Sequence, residues 1–93
     1  MTRAQRIETR LREALVPARL AIADDSARHA GHAGARPGGE THFTVEIVSD
    51  AFAGKARVAR HRMVYALLAD EIAGGLHALA VVALTPEEAA KGR

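Results

Sequence analysis

Two groups of residues in this chain have side chains that could do chemistry. The first is a set of five histidines, His29, His32, His42, His61 and His77, in a sequence without cysteine. With no thiol, disulfides, zinc–thiolate sites, thiol catalysis and a self-contained thiolate cluster are all excluded. A metal held here must use imidazole or carboxylate, or take ligands from a partner. The second group is Lys55, Arg57, Arg60, His61 and Arg62, basic or titratable residues within about two turns of helix. Their chemistry is contact with phosphate, or pairing with acids. Acid–base or nucleophilic catalysis finds no such support. Ser26 and Ser49 are the only serines, and the carboxylate pairs Asp24–Asp25, Asp70–Glu71 and Glu87–Glu88 fall at a strand end or helix termini, where capping explains them. No enzyme is expected.

Ninety-three residues allow one domain, 1–93. An apolar content of 48% suffices for a core, which must be aliphatic because Phe43, Phe52 and Tyr65 are the only aromatics. Thirteen Lys and Arg against eleven acids leave a net charge of +2, which says little about nucleic acid. No basic-then-apolar leader opens the chain, and no apolar run approaches the roughly 18 residues that span a bilayer. A soluble, cytoplasmic protein is the expectation.

The elements that must position these residues follow from periodicity and caps. Thr2 and Gln5 form a capping-box pattern ahead of Ile7, Leu11 and Leu15, one apolar stripe that Pro17 ends. Arg19 to Asp24 alternates weakly and reads as a strand. Ser26 to Glu40, with four glycines, a proline and two histidines, is a long loop of the kind that carries function. Phe43, Val45 and Ile47 alternate with polar residues in a second strand. A turn at Asp50 to Gly54 leads to the longest helix, about Ala56 to Ile72, with Val64, Leu67, Leu68 and Ile72 on its apolar face. Gly74–Gly75 stops it. Leu76 to Leu84 reads as a strand covered on at least part of both faces. Thr85, Pro86 and two glutamates start a last short helix.

The order α-β-β-α-β-α predicts an α+β domain with a three-stranded mixed sheet and helices on one face. The first two strands should pair antiparallel, and the second and third, joined through a helix, should run parallel. Strand one then ends where the other two begin. The loop histidines, His42 and His77 converge on that end of the sheet.

Several stretches resemble the BolA family, in order and in spacing. They are Asp24-Asp25-Ser26-Ala27-Arg28-His29, Glu40-Thr41-His42-Phe43, Phe52-Ala53-Gly54, Arg60-His61-Arg62-Met63-Val64-Tyr65 and Leu76-His77-Ala78-Leu79-Ala80. The resemblance covers almost the whole chain, as far as Thr85-Pro86. It implies a fold similar to the type II KH domain and partnership with monothiol glutaredoxins of the CGFS kind. It also implies a [2Fe–2S] cluster held between the two proteins, with the glutaredoxin cysteine and a glutathione thiol on one side. On the BolA side the resemblance implies His77 and one loop histidine. Aligned from the Asp-x-Ser end, that is His29; counted back from Glu40, His32 sits closer to the usual spacing. His29 is favoured.

Two imidazoles replacing thiolates at one iron raise a cluster's reduction potential, as in Rieske centres, and make binding sensitive to pH near the imidazole pKa of about 6.5. The bland alternatives stand beside this reading. His77 is equally a strand histidine satisfied by a backbone carbonyl, and His29 and His32 are equally solvated loop residues. His42 is expected to be structural, its ring orienting the loop behind the ligands. The basic helix is read in family terms as a DNA-contacting surface, which makes a transcriptional regulator the runner-up. Against it, the turn before that helix lacks the Gly-x-x-Gly clamp of RNA-binding KH domains, and no aromatics interleave with the basic residues. Arg60 and Arg62 would equally pair with Asp50, Asp70 or Glu71, or dock the glutaredoxin.

Overall fold

A computed structural model of the chain describes residues 1–25 and 41–92. The elements are α1 (Arg3–Leu15), β1 (Arg19–Asp24), β2 (His42–Val48), a 3-10 turn (Asp50–Phe52), α2 (Arg57–Leu67), α3 (Ala69–Ala73), β3 (Ala78–Leu84) and α4 (Pro86–Gly92). The sheet order is β1-β2-β3, with β2 antiparallel to β1 and parallel to β3. The α+β topology expected from the sequence is therefore present. Among the described residues no helix is long and apolar enough to cross a membrane.

The core forms where the helical and strand periodicities meet. Ile7, Leu11 and Leu15 of α1 pack with Phe43, Val45 and Ile47 of β2, with Phe52 of the turn, and with Val64 and Leu68. The Thr2–Gln5 capping box closes in both directions, and Val16 ends α1 with a left-handed φ of 43° just before Pro17. Gly54 takes φ +75° in the turn before α2, a value a Cβ disfavours.

One expectation needs correction and another is narrowed. The long helix kinks at Leu68, where φ is −104° and ψ is 16°, and continues as α3. Neither glycine nor proline marks the spot. The amide of Leu68 is shared between the carbonyls of Val64 (3.1 Å) and Tyr65 (3.2 Å). Beyond the kink Glu71 meets Arg3 and Arg6 of α1 at 3.0 and 2.8 Å, while Ile72 stays 38% exposed instead of joining the core. The Arg6 hydrogen bond is the main cause that holds the Glu71 carboxyl below its ordinary range, against some desolvation.

β3, for its part, is covered along one face and, on the other, only at the end that α4 reaches. Ala83 is buried and Leu79 and Val81 are partly buried, whereas Ala78, Ala80 and Val82 are exposed. The strand is an edge strand, and α4 reaches its outer face only at one end, where Ala89 shares a small cavity with Val82 and Leu84. Small apolar residues thus give β3 a continuous apolar run without two-sided burial along its length.

Polar staples fix the elements to one another. The buried hydroxyl of Ser49 donates to the Leu15 carbonyl at the end of α1 (2.6 Å) and accepts from the Ala51 amide (3.1 Å), while the Ser49 amide donates to the Leu84 carbonyl (2.9 Å). With Leu84 facing β2, alternation turns the Leu79 and Ala83 carbonyls off the open edge of β3. Tyr65 Oη donates to the first at 2.6 Å, and Arg60 Nη1 to the second at 3.0 Å. Helix α2 thereby blunts an edge that would otherwise offer unpaired carbonyls. Arg60 also binds Glu88 of α4 through both terminal guanidinium nitrogens, at 2.6 and 3.2 Å. Glu88 in turn completes a capping box with Thr85.

Two outcomes follow from these staples. Ser49→Ala leaves the Leu15 carbonyl without its buried donor and should lower unfolding stability by about 1–3 kcal/mol in urea titrations. The Arg60 hydrogen bond, seconded by the Thr85 amide, draws the Glu88 carboxyl down from 4.5 to about 2. A depressed acid stabilises the fold above its unfolded value, and that stabilisation is lost as pH falls through the folded value. Glu88→Gln should therefore be less stable than wild type at neutral pH. The two should converge between about pH 4.5 and pH 2, as followed by acid unfolding.

Candidate functional site

The N-terminal ends of the two parallel strands create the site. In register, His42 opens β2 opposite Ala78, which opens β3. The Thr41 carbonyl accepts from both His77 N (2.8 Å) and Ala78 N (3.0 Å), so the backbone that carries His77 is pinned to the strand beside it. On the other side, Leu76 is buried and its amide donates to the Glu71 carbonyl at 2.9 Å. His77 itself is exposed. A solvent-facing imidazole on a doubly anchored backbone suits it to act as a donor or ligand.

His42 lies next to it but in a different environment. It is 6% exposed, its Nδ1 lies 2.9 Å from Thr41 Oγ1, and its ring centroid is 5.3 Å from that of His77 at an angle of 54°. β1 closes the same end. Asp25 N donates to the His42 carbonyl at 2.7 Å, and Thr44 Oγ1 donates to Asp25 Oδ2. His42 lines a shallow cavity of about 310 Å³ together with Asp25, Phe43, Thr44, Ala78, Leu79 and Ala80. The alanines make it roomy.

The structure thus brings His77 and His42 together, as the strand directions predicted. His29 and His32, the candidate loop ligands, lie outside the described residues. The segment carrying them leaves from Asp25 and returns at Thr41, at this same end. Among the described residues no three potential metal-binding side chains gather at one point. A metal at His77 would need further donors from the 26–40 segment or from another molecule.

The basic group is divided by the fold. Lys55, Arg57 and Arg62 are exposed, and among the described residues none is within ion-pair distance of an acid. His61 is partly exposed. Arg60 stands apart. Its side chain is 12% exposed, and Glu88 and the carbonyls of Ala83 and Lys55 occupy its guanidinium. The acids considered from sequence are not its partners, since Asp70 lies near Arg10 and Glu71 binds Arg3 and Arg6. Because α2 starts beside Ala83, Lys55 and Arg57 sit toward the opposite end of β3 from His77, a separation on the order of 20 Å for a strand of this length.

Nothing in the residue pattern directly signals the His42–His77 ring contact or Arg60's place inside the fold. Parallel pairing put the two histidines at one end, but the contact depends on register. The Arg60 staple has a partial signal, since Thr85 and Glu88 form the capping box whose carboxylate Arg60 meets.

Comparison with known proteins identifies the fold that carries this site. The profile of the family described as BolA-like protein matches residues 11–88. Protein BOLA1, chloroplastic, from Arabidopsis thaliana is 51% identical over 88 residues, covering 92% of this chain and 55% of that protein. The DNA-binding transcriptional regulator BolA of Escherichia coli (strain K12) is 44% identical over 84 residues, covering 90% of this chain and 76% of the relative. The solved BolA domain of SufE1 from Arabidopsis thaliana superposes with a TM-score of 0.86 at 51% identity, over 95% of this chain and 96% of that one. This chain spans 24% of one curated plant relative and 55% of another. On these matches and on its architecture, the chain belongs to the BolA-like protein family.

Proposed function

We propose that this protein is an adaptor, not an enzyme, that pairs with a monothiol glutaredoxin and co-ligates a bridging [2Fe–2S] cluster in cluster trafficking, maturation or iron sensing. The ligands from this chain are His77 and one histidine of the 26–40 segment, His29 in preference to His32. The reading places this work in the cytoplasm. The observation that carries it is the exposed imidazole of His77, held on a pinned backbone at the end of the sheet where the histidine-bearing segment leaves and returns. When bound, the cluster supplies a redox-active and transferable iron centre. The residues of this chain contribute two neutral nitrogens, and proton competition makes binding sensitive to acid.

A second reading has its own support. Lys55, Arg57 and Arg62 present exposed charge on one helix and the turn before it, and one relative is named a DNA-binding transcriptional regulator. On this reading the chain contacts DNA phosphates through α2. Arg60, already engaged by Glu88, is a supporting residue there.

The two readings predict different mutant behaviour. Mixing the protein with glutaredoxin, glutathione, iron and sulfide should yield visible absorption and circular dichroism distinct from the glutaredoxin homodimer. That spectrum should vanish with His77→Ala and with one of His29→Ala or His32→Ala. An unchanged homodimer spectrum in the wild-type mixture would remove the cluster reading. DNA binding, by contrast, should weaken with Lys55→Ala and Arg62→Ala and ignore His77→Ala. Each lost phosphate contact should flatten the log–log salt slope by about 0.9.

A further inference from the structure

We propose that His42 is the positioning residue for His77: its buried ring, clamped by Thr41, is the surface against which the exposed ligand imidazole is held in one orientation. This rests on the adaptor reading above and gives His42 a different task from orienting the loop.

The argument begins with Thr41, which is 1% exposed and acts on His77 by two routes. Its carbonyl accepts from the amides of His77 and Ala78, fixing the backbone from which the His77 side chain departs. Its hydroxyl lies 2.9 Å from His42 Nδ1, which fixes the rotation of the His42 ring. The His42 ring then meets the His77 ring at a centroid separation of 5.3 Å and a tilt of 54°. That separation falls in the range of favourable contacts between aromatic rings, here in a tilted arrangement. Backbone, clamp and ring form a closed circuit through Thr41, His42 and His77.

The two histidines differ in accessibility, and this divides their roles. His42 is 6% exposed and has one ring nitrogen at Thr41, so it is placed to support. His77 is exposed, and an exposed side chain left alone samples several rotamers. A ligand that must be immobilised on binding loses affinity, whereas one already held loses less. Partners behind a metal-binding histidine act in the same way, by fixing its ring. Removing the His42 ring should therefore weaken the glutaredoxin–cluster complex about three- to tenfold without removing a ligand.

The test has a readout that needs no cluster. In the metal-free wild-type protein, NMR side-chain couplings should show His77 in a single χ1 rotamer, with nuclear Overhauser contacts between the two imidazoles. His42→Ala should average those couplings. His42→Phe, which keeps a ring in place, should restore the single rotamer, and Thr41→Val, which removes the clamp, should loosen it. With glutaredoxin and cluster, the order of affinity should be wild type, then His42→Phe close behind, then His42→Ala. If His42→Ala does not fold, the wild-type couplings and the Phe and Val variants decide the matter. Averaged His77 rotamers in the wild type, or an unmoved His77 in the His42→Ala or Thr41→Val variant, would overturn the proposal. Failure of the adaptor reading looks different: the cluster spectrum would ignore His77→Ala while the rotamer result stood.

Discussion

Parallel pairing of β2 with β3 is the constraint on which the arrangement of this protein depends. Two parallel neighbours need a crossover, and the turn, α2 and α3 provide it. The same geometry forces the first residues of both strands to one end of the sheet. His42 and His77 are neighbours for that reason, although 35 positions separate them (77 − 42). The hairpin partner β1 then ends beside them, so the segment after Asp25 starts from the same place. A site assembled in this way draws its accuracy from backbone hydrogen bonds instead of from long side chains. The two bonds accepted by Thr41 are the clearest case.

The Ser49 and Arg60 staples and the candidate chemistry lie at different ends of the molecule. Ser49 joins the end of α1, the turn and the end of β3, and Arg60 joins α2, β3 and α4. These staples cluster where β2 and β3 finish. At the histidine end the anchoring is chiefly main-chain, with the Glu71–Arg3–Arg6 cluster holding α3 against α1 behind it. A partner bound at His77 would meet exposed imidazole and small residues without disturbing the Ser49 and Arg60 staples. Lys55 and Arg57 lie toward the other end, so a glutaredoxin seated on His77 and a polyanion on the start of α2 would use largely separate surfaces.

Arg60 shows how a motif can signal both family and architecture. Within Arg60-His61-Arg62-Met63-Val64-Tyr65, two residues bind carbonyls on the open edge of β3 and a third, Val64, is fully buried. Arg62 faces solvent. Reading the run as one basic surface mixes a fold requirement with a recognition surface. Charge counted along the chain overstates the charge available to a partner.

From sequence alone, the element order, the capping box at Thr2 and the cap at Thr85, the apolar stripe Ile7–Leu11–Leu15, the alternation of β2 and the convergence of His42 and His77 on one sheet end were all legible. These are local periodicities and connection rules, and they act within a few residues or through topology. The kink at Leu68, the largely one-sided burial of β3, the engagement of Arg60 by Glu88 and the contact of His42 with His77 were decided only by the tertiary structure. Each depends on which groups from distant positions come within a few ångströms. Residue type does not record that, because the same leucine, alanine, arginine or histidine fits either outcome until packing chooses.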